Sequence, residues 1–348
     1  MCLFGRINKI TGLLGIILAV TILSACSAPV AVPTTTPTVT PTVTPPPVTT
    51  TLGLSASPIS KATPVPQTGL LFELRQYVLE LINKDRKEAG LGAVTLADNA
   101  ASQKHADDML TNYYLSHWDT AGLKPYMRYT LEGGFNYESE NSAYSGWFNK
   151  ADDLNRYAKI DAKEELKTLQ YKMMKEDAES NWGHRDTILN KWHKKVSIGI
   201  AYNQNRLALV QQFEGDYIEF IQLPTLLGGT LSLGGKINLG TLDAVALYYD
   251  PLPQPKTPQE LISGQRSYSL GPRLGHLIAP PPPGMFYSST SPGAIQASKW
   301  EVDQSGSFSI QADINPALIN GKGVYTIAVW IKSNNESKNL TNYSIFVK

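Results

Sequence analysis

Cysteine is nearly missing from this chain: two among 348 residues, Cys2 and Cys26. A disulfide-stapled scaffold is excluded, and the folded parts must hold together by packing alone, as a chain of this length can. Charge of one sign is not in excess either, with 31 Lys and Arg against 30 Asp and Glu. That balance speaks against a nucleic-acid partner or a polybasic membrane patch. The apolar run Leu13 to Leu23 is too short for a comfortable membrane span. Local catalytic signatures are absent as well: there is no His-Glu-x-x-His, no Gly-x-Ser-x-Gly and no phosphate-binding glycine loop. Any site must be assembled by the fold from distant residues.

What is present begins with a leader. Residues 1–25 read as a secretory signal, with Arg6 and Lys9 ahead of the apolar run. The segment ends in Leu23-Ser24-Ala25-Cys26, which resembles the bacterial lipobox, whose cysteine is diacylated and becomes the new N-terminus. An ordinary signal peptide cut near Ala25 or Ala28 is the other reading. Acyl chains stabilise membrane binding by about 0.8 kcal/mol per buried methylene, so an acylated Cys26 predicts a firm partner in the lipid bilayer. The expected location is the outer face of a bacterial-type membrane. Residues 26–68 are mostly Thr, Pro, Val and Ser, with almost no charge or aromatic residue to build a core. They read as a disordered tether, which at about 3.1 Å per residue reaches on the order of 100 Å.

Helical spacing then predicts a helix over 70–89, a second from Asp98 to about Tyr113, a third over 124–131 and a fourth over 161–176. Within the second, His105 reads most simply as a helix-surface residue. Residues 136–158 have no clear period and read as a long loop. A two-turn helix after His184 precedes strands at 196–202, 207–213 and 217–223, the first pair joined by the turn Asn203-Gln204-Asn205-Arg206. Helices around an antiparallel sheet is the fold class this implies, α+β. Beyond Pro224 short alternating runs follow, such as Phe308, Ile310, Ala312 and Ile314 facing one way with Ser309, Gln311 and Asp313 facing the other. Strands without helices over 225–348 predict an antiparallel β-sandwich of immunoglobulin-like type, after a folded unit over 69–223.

Three clusters stand out between Leu115 and Leu189: Ser116-His117-Trp118-Asp119, Ser139-Glu140-Asn141, and Glu176-Asp177 with Trp182-Gly183-His184-Arg185. Each has a plain structural reading. Ser116-His117 can cap the second helix, Glu140 can hold its loop by backbone hydrogen bonds, and His184 can steady the helix that follows it. Trp118 and Trp182 read as packing residues.

The order of these pieces, with Leu81-Ile82-Asn83, Arg86 and Gly90-Leu91 before them and Ile188-Leu189, Ile198-Gly199-Ile200-Ala201 and Gln211-Gln212-Phe213 around and after them, resembles the CAP superfamily, the cysteine-rich secretory, antigen 5 and pathogenesis-related proteins, in its bacterial cysteine-free form. The resemblance covers roughly residues 70–220 and implies a three-layer α-β-α sandwich with a His-Glu-Glu-His tetrad in a cavity. By that resemblance His117, Glu140 and His184 take three places. Glu176 takes the fourth, with Asp177 and Glu179 as close rivals because the segment from Lys175 to Trp182 gives no clean register. Ser139 departs from the family, which often has glycine there; a Cβ narrows the backbone choices of that loop.

Two imidazoles and two carboxylates in one cleft can bind a divalent metal, preferably zinc, or act as general acid and base. No nucleophile presents itself. The leading expectation is a membrane-anchored CAP lipoprotein that binds a hydrophobic ligand, a cell-wall component or a protein without turnover. A metal-dependent hydrolase acting on peptide or cell-wall polymer through the same four residues is the alternative. A third reading is a carbohydrate-binding adhesin using Tyr248, Tyr249, Trp300 and Trp330 of the β-sandwich.

Overall fold

Leu74, Val78 and Ile82 recur on one face of α1 (Leu70–Glu88) and are fully buried, as their helical spacing requires. They meet apolar residues of α4 (Ala162–Lys175) and α5 (Gly183–Ile188), namely Leu166, Leu169, Met173 and Ile188, over one face of a four-stranded sheet. The sheet runs β1-β3-β4-β2, from β1 (Thr95–Leu96) through β3 (Lys195–Tyr202) and β4 (Leu207–Glu214) to β2 (Glu138–Ser145) at the edge. Its other face is covered by α2 (Ala101–Asn112) and α3 (Pro125–Leu131), where Ala106 and Met109 pack on Ala208 and Val210. Gly199 lets α2 approach: a Cβ there would sit 2.0 Å from the Ser102 carbonyl oxygen. The three layers are those expected. The computed structural model describes residues 68–146, 159–287 and 290–348. The leader, Cys26 and all of the tether except Thr68 lie outside the described residues. No helix among the described residues is long and apolar enough to cross a membrane.

Strand β2 replaces the front of the expected loop. Its sequence, Glu-Ser-Glu-Asn-Ser-Ala-Tyr-Ser, has no hydrophobic alternation because both faces meet polar partners. Residues 147–158 of that loop lie outside the described residues. The expected N-cap of the second helix also shifts, since α2 starts at Ala101 rather than after Asp98. Asp161 does cap α4, accepting from the amides of Lys163 and Glu164.

The remainder is a two-sheet sandwich, with three corrections. The strand expected at 217–223 is β5 (Ile218–Leu227), and it leaves the first sheet to pair with β6 (Thr230–Ile237) in the order β10-β11-β6-β5, with β11 (Ser307–Asp313) and β10 (Lys299–Val302). The second sheet is β13-β12-β7-β8-β9 with β14 on β12, built from β7 (Thr241–Asp250), β8 (Arg273–Ile278), β9 (Ala294–Gln296), β12 (Gly323–Ser333), β13 (Glu336–Asn339) and β14 (Tyr343–Val347). Leu231, Leu233, Phe308 and Ile310 of one sheet interdigitate with Val245, Leu247, Ile327 and Val329 of the other. The antiparallel pattern has one exception, β9 running parallel to β8. The region is also not free of helix: α6 (Pro258–Ser263) is held by a capping box between Thr257 and Glu260. Tyr249 and Trp300 pack against the sandwich core and stay partly exposed.

All of these elements fall in one unit, Thr50–Lys348. A seam of polar contacts joins the helical layers to the sandwich. Asp250, at the end of β7, accepts from Lys124 Nζ at 2.7 Å and from the Tyr126 hydroxyl at 2.6 Å, with its side chain 8% exposed. Leu261 of α6 is buried with Met109 and Tyr114. Gly122 (φ +80°) lies against the Gln254 backbone, where a Cβ would come within 2.1 Å of a carbonyl oxygen. Buried hydrogen bonds to a charged partner contribute about 1.5–3 kcal/mol. Asp250→Ala is therefore expected to destabilise the chain by about 3 kcal/mol and Tyr126→Phe by about 1 kcal/mol. Urea unfolding midpoints check this, and an unchanged midpoint for Asp250→Ala would show that the seam is held elsewhere.

Candidate functional site: two histidine–carboxylate pairs at a sheet edge

Successive residues of a strand point to opposite faces, and this divides the predicted tetrad. Glu140 of β2 points to the α2 and α3 side, whereas Asn141 points to the α4 and α5 side, donating from Nδ2 to the His184 carbonyl at 3.0 Å. The structure therefore builds two pairs along the free edge of β2, one on each face.

The first pair is His117 and Glu140. The ring N–H at Nδ1 of His117 donates to Oε1 of Glu140 at 2.9 Å. The other carboxylate oxygen, Oε2, accepts from Arg128 Nη2 at 2.8 Å and lies 3.2 Å from His105 Nδ1. Glu140 and His105 are buried, as is Arg128. Arg128 also donates through Nη1 to the carbonyls of His117, at 2.9 Å, and Leu123, at 2.7 Å, fixing the loop that carries His117. Burial drives the His105 ring below its ordinary pKa, and the Arg128 charge adds to this, so His105 is neutral at pH 7. Burial works against the charged form of Glu140, but the Arg128 charge and the hydrogen bonds its oxygens receive prevail and hold its carboxyl well below the usual range. With His105 neutral, Arg128 is the cation that balances it.

The surface reading of His105 is thus corrected. It shares the buried face of α2 with Ala101 and Met109, positions four residues to either side, so the helical period did carry a signal of burial. Its Nε2 is buried without a partner.

The second pair is His184 and Asp177. The Nδ1 N–H of His184 donates to Asp177 Oδ1 at 2.6 Å, while Asp177 Oδ2 accepts from the backbone N–H of His184, at 2.9 Å, and Arg185, at 3.2 Å. Burial again opposes the charge, and the bonds from His184 and the Arg185 amide prevail, keeping the Asp177 carboxyl below its usual range. Of the three candidates for the acid beside His184, Glu176 and Glu179 are exposed and Asp177 is buried. The acid that bonds His184 is Asp177 and not Glu176, because α4 ends at Lys175 and its cap, Glu176, faces solvent; one residue further the chain has turned inward. The single-residue slip was hidden by the irregular segment between α4 and α5.

A residue no local signal could find completes the first pair. Tyr268, in the stretch between α6 and β8, accepts from the backbone N–H of Glu140 at 2.7 Å, across 128 residues, and its ring lies 4.8 Å from that of His117. Ser139 fits its strand by donating to Nε2 of His193 at 3.0 Å, while His193 donates from Nδ1 to the Thr187 carbonyl at 2.9 Å.

In both pairs a carboxylate holds the Nδ1 hydrogen of a histidine, which leaves Nε2 as the lone pair able to meet a ligand. This is the orientation that outer carboxylates impose on metal-binding histidines. As metal ligands themselves, however, Glu140 and Asp177 are already engaged. No group of three or more His, Cys, Asp or Glu side chains able to hold an ion is found among the described residues. The four side chains do not fit a zinc held by the protein alone. Removing the cation from a buried pair costs about 3–5 kcal/mol. Arg128→Met is expected to lose that much stability, and adding Glu140→Gln to recover a large part of it. Chemical denaturation of the two variants checks this; equal losses would mean that the pair's charges do not set the cost.

The family model described as CAP, the cysteine-rich secretory protein family, matches residues 79–213. A comparison with curated proteins finds no match. Similar solved structures include the CAP domain of enterococcal PrgA, at 20% identity and a TM-score of 0.29, covering 41% of this chain and 61% of that one. The chain thus spans less than two thirds of that relative. An outer surface protein from Borrelia burgdorferi, at 14% identity and a TM-score of 0.32, is covered over 98% of its length by 44% of this chain. NaASP2, solved with Zn2+, shows 17% identity and a TM-score of 0.29, with 42% of this chain covering 82% of it. Residues 79–213, with their three layers and paired histidines, are a CAP domain of the cysteine-rich secretory protein family.

Proposed function

We propose that this chain is an extracytoplasmic, membrane-anchored CAP lipoprotein that binds a ligand at the edge of β2 without turning it over. The observation that carries the reading is the commitment of Glu140. Both of its oxygens are engaged by His117 and Arg128, with His105 beside them, and it stays ionised in a buried setting. A general base needs a carboxylate whose pKa lies near the working pH. Glu140 is far from that condition and acts instead as a rigid brace for His117. The secretory description of the family and the Leu23-Ser24-Ala25-Cys26 sequence support the anchored, external location. In this reading residues 26–68 are the tether, 69–223 the binding unit and 225–348 a sandwich that stiffens it through the Asp250 seam.

A second reading rests on the free Nε2 atoms. A divalent ion, zinc in the first instance, would take His117 or His184 as a ligand, with Glu140 or Asp177 behind it, its other ligands coming from solvent or substrate. Zinc would there supply a Lewis acid and an activated water, the chemistry a metal-dependent hydrolase needs. Hydrophobic, cell-wall and protein ligands remain the candidate partners for the binding reading.

Two measurements test these proposals. Cys26→Ser is expected to move the protein from the membrane fraction to the medium; retention in the membrane would reject acyl anchoring. In zinc titration the intact chain is expected to show no tight site, because two histidines fall short of a protein-made zinc set. Stoichiometric uptake that disappears in both His117→Ala and His184→Ala would favour the metal reading instead.

A further inference from the structure

On the same face of β2 as Glu140, two residues earlier, Glu138 is 2% exposed, and Arg128, the cation whose charge reaches it, is bonded to Glu140 instead. Its Oε2 accepts from Gln212 Nε2 at 3.3 Å, while Oε1 is buried without a hydrogen-bond partner. Glu138 borders a cavity of about 270 Å³ that is also lined by Tyr126, Tyr137, Thr187 and Tyr268. Among the described residues, no Lys, Arg or His lines this cavity. Its volume is several times the share of a single water, enough for a small organic group.

The setting is rich in acceptors and short of donors. Besides Glu138 Oε1, Gln212 Oε1 is buried without a hydrogen-bond partner opposite Glu140 on β4. The hydroxyl of Tyr126 is already donated to Asp250, and that of Ser139 to His193. Arg128, the nearest cation, is engaged by Glu140 and two backbone carbonyls. The field in the cavity is negative: the charge of Glu138 adds to burial in raising the pKa of Tyr126, Tyr137 and Tyr268. A buried carboxylate is stable only when a charge or a set of hydrogen bonds compensates it. A cationic donor does both at once.

We propose that this cavity is a binding site for a small primary ammonium group, with Glu138 as its counter-ion. The ammonium presents three donors and no acceptor, matching what the cavity lacks. The phenol rings give it walls that tolerate a short alkyl chain. This site lies beside the His117 pair and shares Tyr268 and Glu140 with it, but its ligand is read from Glu138 and not from the ligand or metal readings given above.

The probe is n-butylammonium, titrated by calorimetry or NMR into the intact chain at physiological salt, with n-butanol and butyrate as neutral and anionic counterparts of the same size. Saturable binding of the ammonium, and weaker or no binding of the other two, is expected. A charge-assisted hydrogen bond corresponds to roughly tenfold to a hundredfold in affinity. Glu138→Gln, which keeps the shape, is expected to weaken the ammonium by that factor. Thr187→Phe, which fills the cavity from another wall, should abolish binding should Glu138→Gln prove unstable. His184→Ala, whose ring bonds Asp177 and does not line the cavity, is expected to leave the ammonium affinity within about twofold, which separates this site from the proposed function. No saturable binding, equal binding of butanol, or full affinity in Glu138→Gln or Thr187→Phe would overturn the proposal.

Discussion

The buried ion pair of Arg128 and Glu140 is the constraint on which the site depends. Arg128 binds one carboxylate oxygen and two carbonyls of the loop before α3, so a single guanidinium ties β2, α3 and the His117 loop together. A planar five-donor group suits this task as an ammonium would not. Desolvating two charges is costly, and such a pair is poor evidence for extra stability. Its consequence is specificity: Glu140 must sit where Arg128 can reach it, and His117 is then held in one orientation. His105, neutral and without its own partner at Nε2, is the polar remainder of that arrangement.

Strand alternation explains why the histidines form two pairs instead of one ring of four ligands. Glu140 and Asn141 are neighbours in sequence and opposites in space, so each fastens a different helical layer to the same edge strand. The same device places Glu138 and Glu140 on one face, where two carboxylates share a single arginine. Glu140 takes the cation and Glu138 is left with a raised pKa. Functional chemistry collects at such places because environments that push like groups apart give them different roles.

The sandwich is part of the site and not an appendage to it. Tyr268 reaches Glu140 and His117 from beyond α6, and the Asp250 seam holds the stretch that carries it, with Lys124 also donating to the Ser269 carbonyl at 3.0 Å. The CAP layers therefore present their histidines in surroundings partly made by the second half of the chain.

Periodicity was enough to determine the helices α1, α3 and α4, the hairpin of β3 and β4 and the alternating strands of the sandwich, because burial of one face repeats every 3.6 or 2 residues. The order of short motifs was enough to point to the family, and in the structure His117 bonds Glu140 while His184 bonds Asp177. Tertiary structure alone decided the rest. It chose Asp177 over Glu176, because a one-residue change of direction after α4 leaves no periodic trace. It turned His105 inward and made a polar strand of β2, since partners on other elements determine both. It sent β5 to the sandwich and brought Tyr268 to the site, because pairing and packing across long stretches of chain depend on which surfaces meet, and no window of sequence contains both.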